Sequence, residues 1–125
     1  LSMSDRVTKA PKIYCVNWFR TNAEGKFVWP GFGENMRVLQ WIFNRVAGKG
    51  EAVETKLGYS PSYENLDWSG IKFSKEEFEI AMSISDEEWL KELDLHTAHF
   101  EKLGERLPEA LRELKEEFVK KFKNS

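Results

Sequence analysis

Residues 17–35 read Asn17-Trp-Phe-Arg-Thr-Asn-Ala-Glu-Gly-Lys-Phe-Val-Trp-Pro-Gly-Phe-Gly-Glu-Asn35. Within this stretch the chain passes from an extended pattern through an irregular one to the start of a helix. Just ahead and overlapping it, Lys12-Ile-Tyr-Cys-Val-Asn-Trp-Phe19 is a run of β-branched, aromatic and apolar residues. That composition predicts a mostly buried strand. Asn22 and Gly25 are turn formers, and Phe27, Val28 and Trp29 resume the extended pattern. The two pieces are expected to pair as a hairpin with a longer loop. Pro30-Gly-Phe-Gly33 must be irregular: proline lacks an N–H, and two glycines open conformations closed to other residues.

Working outward, Val38, Leu39, Ile42, Phe43 and Val46 recur at helical spacing and fall on one face. Asn35 is the expected N-cap and Gly48 the expected stop. Residues 1–11 are a polar lead-in, and 12–48 hold the aromatic block and its helix. From 49 to 73 the chain is rich in Gly, Ser, Pro and Asn without a sustained period, which predicts an ordered connection anchored by Tyr59, Tyr63, Leu66 and Trp68. Residues 74–125 form a helical tail. Ser74-Lys-Glu-Glu77 and Ser85-Asp-Glu-Glu88 both match a capping box, predicting helices over about 75–82 and 86–103. Trp89, Leu90, Leu93, Phe100 and Leu103 are core positions of the second. Pro108 suits the first turn of a last helix, along which Leu111, Leu114, Phe118 and Phe122 recur. The expected fold class is α/β, in the form of an α+β piece: a short strand pair near the N-terminus followed by mainly helices.

Composition narrows the function classes. The chain has 125 residues, which suits one domain or part of a larger one. Nineteen Lys and Arg against 21 Asp and Glu give a net charge of -2, so the basic excess of a dedicated nucleic-acid binder is missing. No apolar run reaches the roughly 18 residues of a spanning helix, and no signal peptide is visible, so no membrane partner is expected. Cys15 is the single cysteine, which excludes an internal disulfide and a multi-cysteine zinc site and fits a reducing, cytoplasmic setting. The chain opens Leu1-Ser-Met-Ser4 without an initiator methionine, as a tag scar or a piece of a longer protein would. Aromatic residues reach 14%, and their clustering is the unusual feature.

Trp18, Phe19, Phe27, Trp29 and Phe32 lie within 15 positions. Phe32 sits between two glycines in a loop, where packing gives little reason to keep a large ring. Such a ring suits stacking on a flat ligand. The glycines let backbone N–H groups approach closely, and Asn35 offers both donors and an acceptor. Guanine presents an acceptor at O6 beside donors at N1 and N2, an edge that an Asn side chain or a backbone pair can match. The residues alone favour aromatics that simply fill a core over base binding, and an interaction module whose exposed rings bind a peptide or protein partner is a further reading. His96 and His99 share a helix near Asp94 but lack a third convincing ligand, so they read as ordinary histidines. Cys15 reads as a small buried hydrophobe. Glu34 can accept from a base or favour the helix N-terminus. Arg20 and Arg37 read as salt-bridge partners, and Lys120, Lys121 and Lys123 complement a helix dipole.

Val16-Asn-Trp-Phe-Arg20, followed without a gap in spacing by Gly25-Lys-Phe-Val-Trp-Pro-Gly-Phe-Gly-Glu-Asn-Met-Arg-Val-Leu39, resembles the C-terminal part of the GTP-dependent phosphoenolpyruvate carboxykinases. Leu1-Ser-Met3, Trp41-Ile-Phe-Asn-Arg45, Gly58-Tyr59, Ile84-Ser85 and Glu88-Trp89 continue the similarity, which fades in the last two helices. The departures are Cys15 and Met36, neither a ligand position. The resemblance implies the C-terminal part of the family's nucleotide-binding domain. It places Phe19, Phe27 and Phe32 around guanine with Trp18 beside them, and Phe32, Gly33, Glu34 and Asn35 in contact with the GTP base.

The family's reaction takes oxaloacetate and GTP to phosphoenolpyruvate, CO2 and GDP, serving gluconeogenesis or anaplerosis, with Mn2+ and Mg2+. No catalytic or metal residue is assigned to this chain, and the isolated piece is expected to be inactive. Its expected partners are guanine nucleotide and the rest of the parent chain, with self-association through bared apolar surface.

Overall fold

The helices start where local hydrogen-bonding chemistry places them. In the structure, a computed structural model describing residues 6–124, α1 spans Asn35–Val46, α2 Lys75–Met82, α3 Asp86–Leu103 and α4 Glu109–Lys123. The Ser74 hydroxyl accepts from the Glu77 N–H at 3.2 Å while the Glu77 carboxylate accepts from the Ser74 N–H at 2.8 Å, so two orphan donors of α2 are satisfied reciprocally. Ser85 accepts from the Glu88 N–H at the start of α3. Gly104, at φ 52°, stops α3, and Pro108 caps α4. The first five residues, including the resemblance at Leu1-Ser-Met3, lie outside the described residues.

Strands form elsewhere than expected. Residues 12–19 form none. Ile13 is 89% exposed, Val16 and Cys15 are exposed as well, and only Tyr14 and Trp18 are part-buried, Tyr14 edge-on to Trp41 at 6.0 Å and Trp18 against Trp29 at 5.5 Å. An isolated pair of strands is marginal without a packed face, and two part-buried rings do not supply it. The expected hairpin shrinks to a bridge between Thr21 and Phe27. The Asn22 side chain closes this turn by accepting from the N–H groups of Glu24 and Lys26, with Gly25 at φ 74°. The strand pair of the fold is instead β1, Val53–Thr55, antiparallel to β2, Gly58–Ser60. It lies inside the segment read as a connection, because three-residue strands are too short to show a period.

The chain divides into two compact units, one comprising Lys9–Ser83 and the other built on residues 84–124. In the first, Trp41, Leu66, Phe73 and Phe78 are buried together. Trp68 lies 4.8 Å from Phe73, 5.2 Å from Tyr63 and 5.9 Å from Phe78. Tyr63, Leu66 and Trp68 therefore anchor the 49–73 segment as expected. Tyr59 does not: it is 64% exposed, its ring beneath the Arg45 guanidinium. The α1 face also splits. Val38 and Ile42 pack on the core, whereas Leu39, Phe43 and Val46 face outward.

In the second unit α3 and α4 pack antiparallel: Trp89 stacks on Phe122 at 5.7 Å, and Lys115 donates to the Thr97 hydroxyl. Leu93, Leu107 and Phe122 are its buried residues. Among the described residues no helix is long and apolar enough to cross a membrane.

Candidate nucleotide-base site

Gly31 makes the turn that presents the aromatic block. Its φ of 129° lies in the region that side-chain-bearing residues rarely adopt. It leads into a 3-10 turn, Phe32–Glu34, with the Glu34 N–H donating to the Gly31 carbonyl at 3.1 Å. The turn leaves Phe32 91% exposed. Gly33 has no heavy atom within 4 Å of where a Cβ would stand, so the space beside its backbone is open. Phe19 and Phe27, 71% and 66% exposed, meet edge-on with centroids 6.0 Å apart. An exposed ring on a glycine turn, and an exposed pair of rings, are each apolar surface able to take up a flat, apolar-faced ligand.

The polar residues behind the turn are already engaged. Asn35 begins α1, but the N-cap position belongs to Glu34. The Asn35 Oδ1 accepts from the Trp29 indole N–H at 2.7 Å rather than capping the helix as the sequence suggests. Trp29 in turn lies 5.5 Å from Trp18 and 6.0 Å from the buried Phe73. The Glu34 carboxylate makes no cap hydrogen bond; Arg37 Nε donates to it at 2.6 Å. The same guanidinium donates to the Asp67 carbonyl and, at 2.9 Å, to the Ser69 carbonyl. Asp67 accepts from the Ser69 N–H at 2.8 Å, and that backbone hydrogen bond lowers its carboxyl pKa. Arg37 thus ties the Phe32–Glu34 turn to the 67–69 segment.

The structure gathers the sequence-derived residues into two sets, Phe19 with Phe27 and Trp18 with Trp29 and Asn35. Phe32, Gly33 and Glu34 form the turn leading into Asn35. Arg37 is the salt-bridge partner the sequence suggests, here of Glu34; its reach to the 67–69 segment and the connecting role of Trp29 were not foreseen. The signals were present: an indole N–H that must donate, and a Glu34/Arg37 pair at helical i,i+3 spacing.

Other candidates carry less chemistry. Cys15 is exposed, not buried. His96 pairs with Glu92 at 3.4 Å and stacks on Phe100. Among the described residues no three His, Cys, Asp or Glu side chains group so as to hold a metal. A cleft of about 710 Å³ in the second unit is lined by Glu101, Glu105 and Glu116 as well as Arg112, Lys115 and Lys120. Equal numbers of opposite charges give it no preference for a phosphate.

Residues 1–121 match the model of a family described as the phosphoenolpyruvate carboxykinase C-terminal P-loop domain. The chain belongs to this family. The GTP-dependent phosphoenolpyruvate carboxykinase of Anaeromyxobacter dehalogenans is 50% identical over 111 residues, covering 89% of this chain and 19% of that protein. Its counterpart in Paenarthrobacter aurescens is 45% identical over 112 residues, 90% of this chain and 18% of that protein. The one in Treponema pallidum is 44% identical over 114 residues, again 90% and 18%. The chain therefore spans about a fifth of the length of these carboxykinases. Within that fifth, no Gly-x-x-x-x-Gly-Lys-Ser/Thr sequence occurs, so the phosphate loop that gives the carboxykinase domain its description is not in this chain.

Proposed function

We propose that residues 18–35 form the guanine-recognition wall of a GTP-dependent phosphoenolpyruvate carboxykinase. The observation that carries this reading is Phe32, 91% exposed on a glycine turn and three residues from an Asn35 held by the Trp29 indole. Phe19 and Phe32 sandwich the base, Phe27 closes the pocket edge, and Trp18 backs the wall. Asn35 and the backbone of Phe32, Gly33 and Glu34 read the base edge. Because the Glu34 carboxylate is paired with Arg37, Glu34 acts through its backbone.

The parent enzyme decarboxylates oxaloacetate and phosphorylates the resulting enolate from GTP, giving phosphoenolpyruvate, CO2 and GDP, a cytoplasmic step of gluconeogenesis or anaplerosis. Its phosphate loop and its Mn2+ and Mg2+ sites belong to the rest of the parent chain, where such groups neutralise charge on the transferring phosphoryl group. Met36, Leu39, Phe43 and Val46 leave an apolar stripe on α1 exposed, the surface through which this piece meets the parent chain or self-associates.

Phe32→Ala in the full-length enzyme is expected to weaken GTP binding by roughly 1–3 kcal/mol, the worth of one base stack. A titration of GTP against the variant measures it, and an unchanged affinity sinks the stacking role. The 125 residues alone are expected to form no phosphoenolpyruvate from oxaloacetate and GTP, since the phosphate loop is missing from their sequence. A coupled assay on the purified chain checks this, and measurable product overturns it.

A further inference from the structure

The hydrogen bond between Trp29 and Asn35 fixes which end of the Asn35 amide is which. An indole nitrogen can only donate, so the Asn35 atom 2.7 Å from it is the oxygen. The NH2 group is then the end directed away from Trp29. The usual ambiguity of an amide's orientation is removed here by the chemistry of its partner. Trp29 has little freedom to release the bond. It is half-buried, and the rings of Trp18, Phe73 and Trp68 lie 5.5, 6.0 and 6.3 Å from its own. Phe73 is itself part of the buried core. The amide's orientation is therefore set by the core of the first unit.

We infer that Trp29 is a positioning residue that sets base specificity, by locking Asn35 so that its NH2 is the group offered to the nucleotide. The inference rests on the guanine reading above. Guanine and hypoxanthine carry an acceptor oxygen at C6, which an NH2 donor matches. Adenine carries an amino donor at the same ring position, and two donors facing each other leave both unpaired in a desolvated site. A site built around a fixed donor discriminates against the wrong base more strongly than apolar shape alone does. Without the indole N–H the amide is free to turn over and present its oxygen, which the adenine amino group satisfies.

The test uses the full-length enzyme and initial rates with GTP, ITP and ATP. Trp29→Phe keeps an aromatic ring in the packed position and removes the donor together with part of the ring's volume. For this variant kcat/KM with GTP and with ITP is expected to fall together by about tenfold, mostly through KM, the scale of one lost hydrogen bond. The GTP-over-ATP ratio falls by at least as much. ITP is the informative nucleotide because it retains the C6 oxygen but lacks the 2-amino group; a parallel loss assigns the effect to that oxygen.

Asn35→Asp keeps an acceptor for Trp29 and puts an oxygen where the NH2 stood. It is expected to shift the ratio in the same direction and further. Should Trp29→Phe fail to fold, benzothienylalanine at position 29 keeps the bicyclic shape without the N–H, and the same ratio is read. Loss of rate by one common factor for all three nucleotides makes Trp29 structural and overturns the inference. An unchanged ratio in the position-29 variant with a shifted ratio in Asn35→Asp overturns the positioning role alone. An unchanged ratio in both overturns the base-reading assignment itself.

Discussion

Trp41→Ala is expected to destabilise the first unit by about 3–5 kcal/mol, the usual cost of emptying a buried aromatic site. Trp41 is 5% exposed and shares its cluster with Leu66, Phe73 and Phe78. Tyr14 meets its ring edge-on, so truncation also frees a residue that pins the 12–19 segment to the core. The indole N–H donates to the Glu51 carbonyl at 2.9 Å, tying α1 to the chain that enters β1. Removing the ring leaves a cavity that surrounding aromatics cannot fill without leaving their own contacts. Urea unfolding of the chain followed by circular dichroism measures the loss. Trp41→Phe, which keeps most of the volume but loses the hydrogen bond, is expected to cost less than half as much. Equal costs for the two variants contradict the packing account.

Arg37→Ala is expected to cost about 2–3 kcal/mol, in the range for hydrogen bonds made by a charged group. The side chains of Arg37 and Glu34 are only 17% and 26% exposed, so solvent compensates little for the lost ion pair, and more for the exposed carbonyls of Asp67 and Ser69. Three acceptors are released together: the Glu34 carboxylate and the carbonyls of Asp67 and Ser69. The consequence reaches the proposed site, because Glu34 ends the turn that carries Phe32. In the full-length enzyme the variant is therefore expected to weaken GTP binding as well as stability. Arg37→Lys keeps the charge but not the planar fork, and it should recover only part of either. A thermal melt and a GTP titration on both variants check this, and a variant that loses stability with GTP affinity intact separates the turn from the site.

Much of the fold is legible in the sequence where the deciding interaction is short-range. The starts of α2 and α3 follow from Ser74 and Ser85, because a cap is made within three residues, although only Ser74/Glu77 closes a reciprocal capping box. The aromatic block around Phe32 is legible for the same reason: a glycine on each side shows that its ring is not held in a regular element. The sequence of that block also suffices for the family.

What it leaves open is every choice that depends on a distant partner. The strand composition of residues 12–19 is real, yet a strand needs a neighbouring edge, and the chain that could provide it pairs only at Thr21 and Phe27. Cys15 is apolar by company and exposed by position. Asn35 and Glu34 are good capping residues at the right place, but the indole of Trp29 and the guanidinium of Arg37 bind them instead.

The sequence by itself determined where α2 and α3 begin, which residues are candidates for the base, and the family. Only the tertiary structure decided which α1 residues are inside, that Trp29 orients Asn35, and that Arg37 holds the turn. Backbone capping is settled within one turn of chain, whereas side-chain partners 30 or more residues apart, as with Arg37 and Asp67, meet only after the core has brought them together.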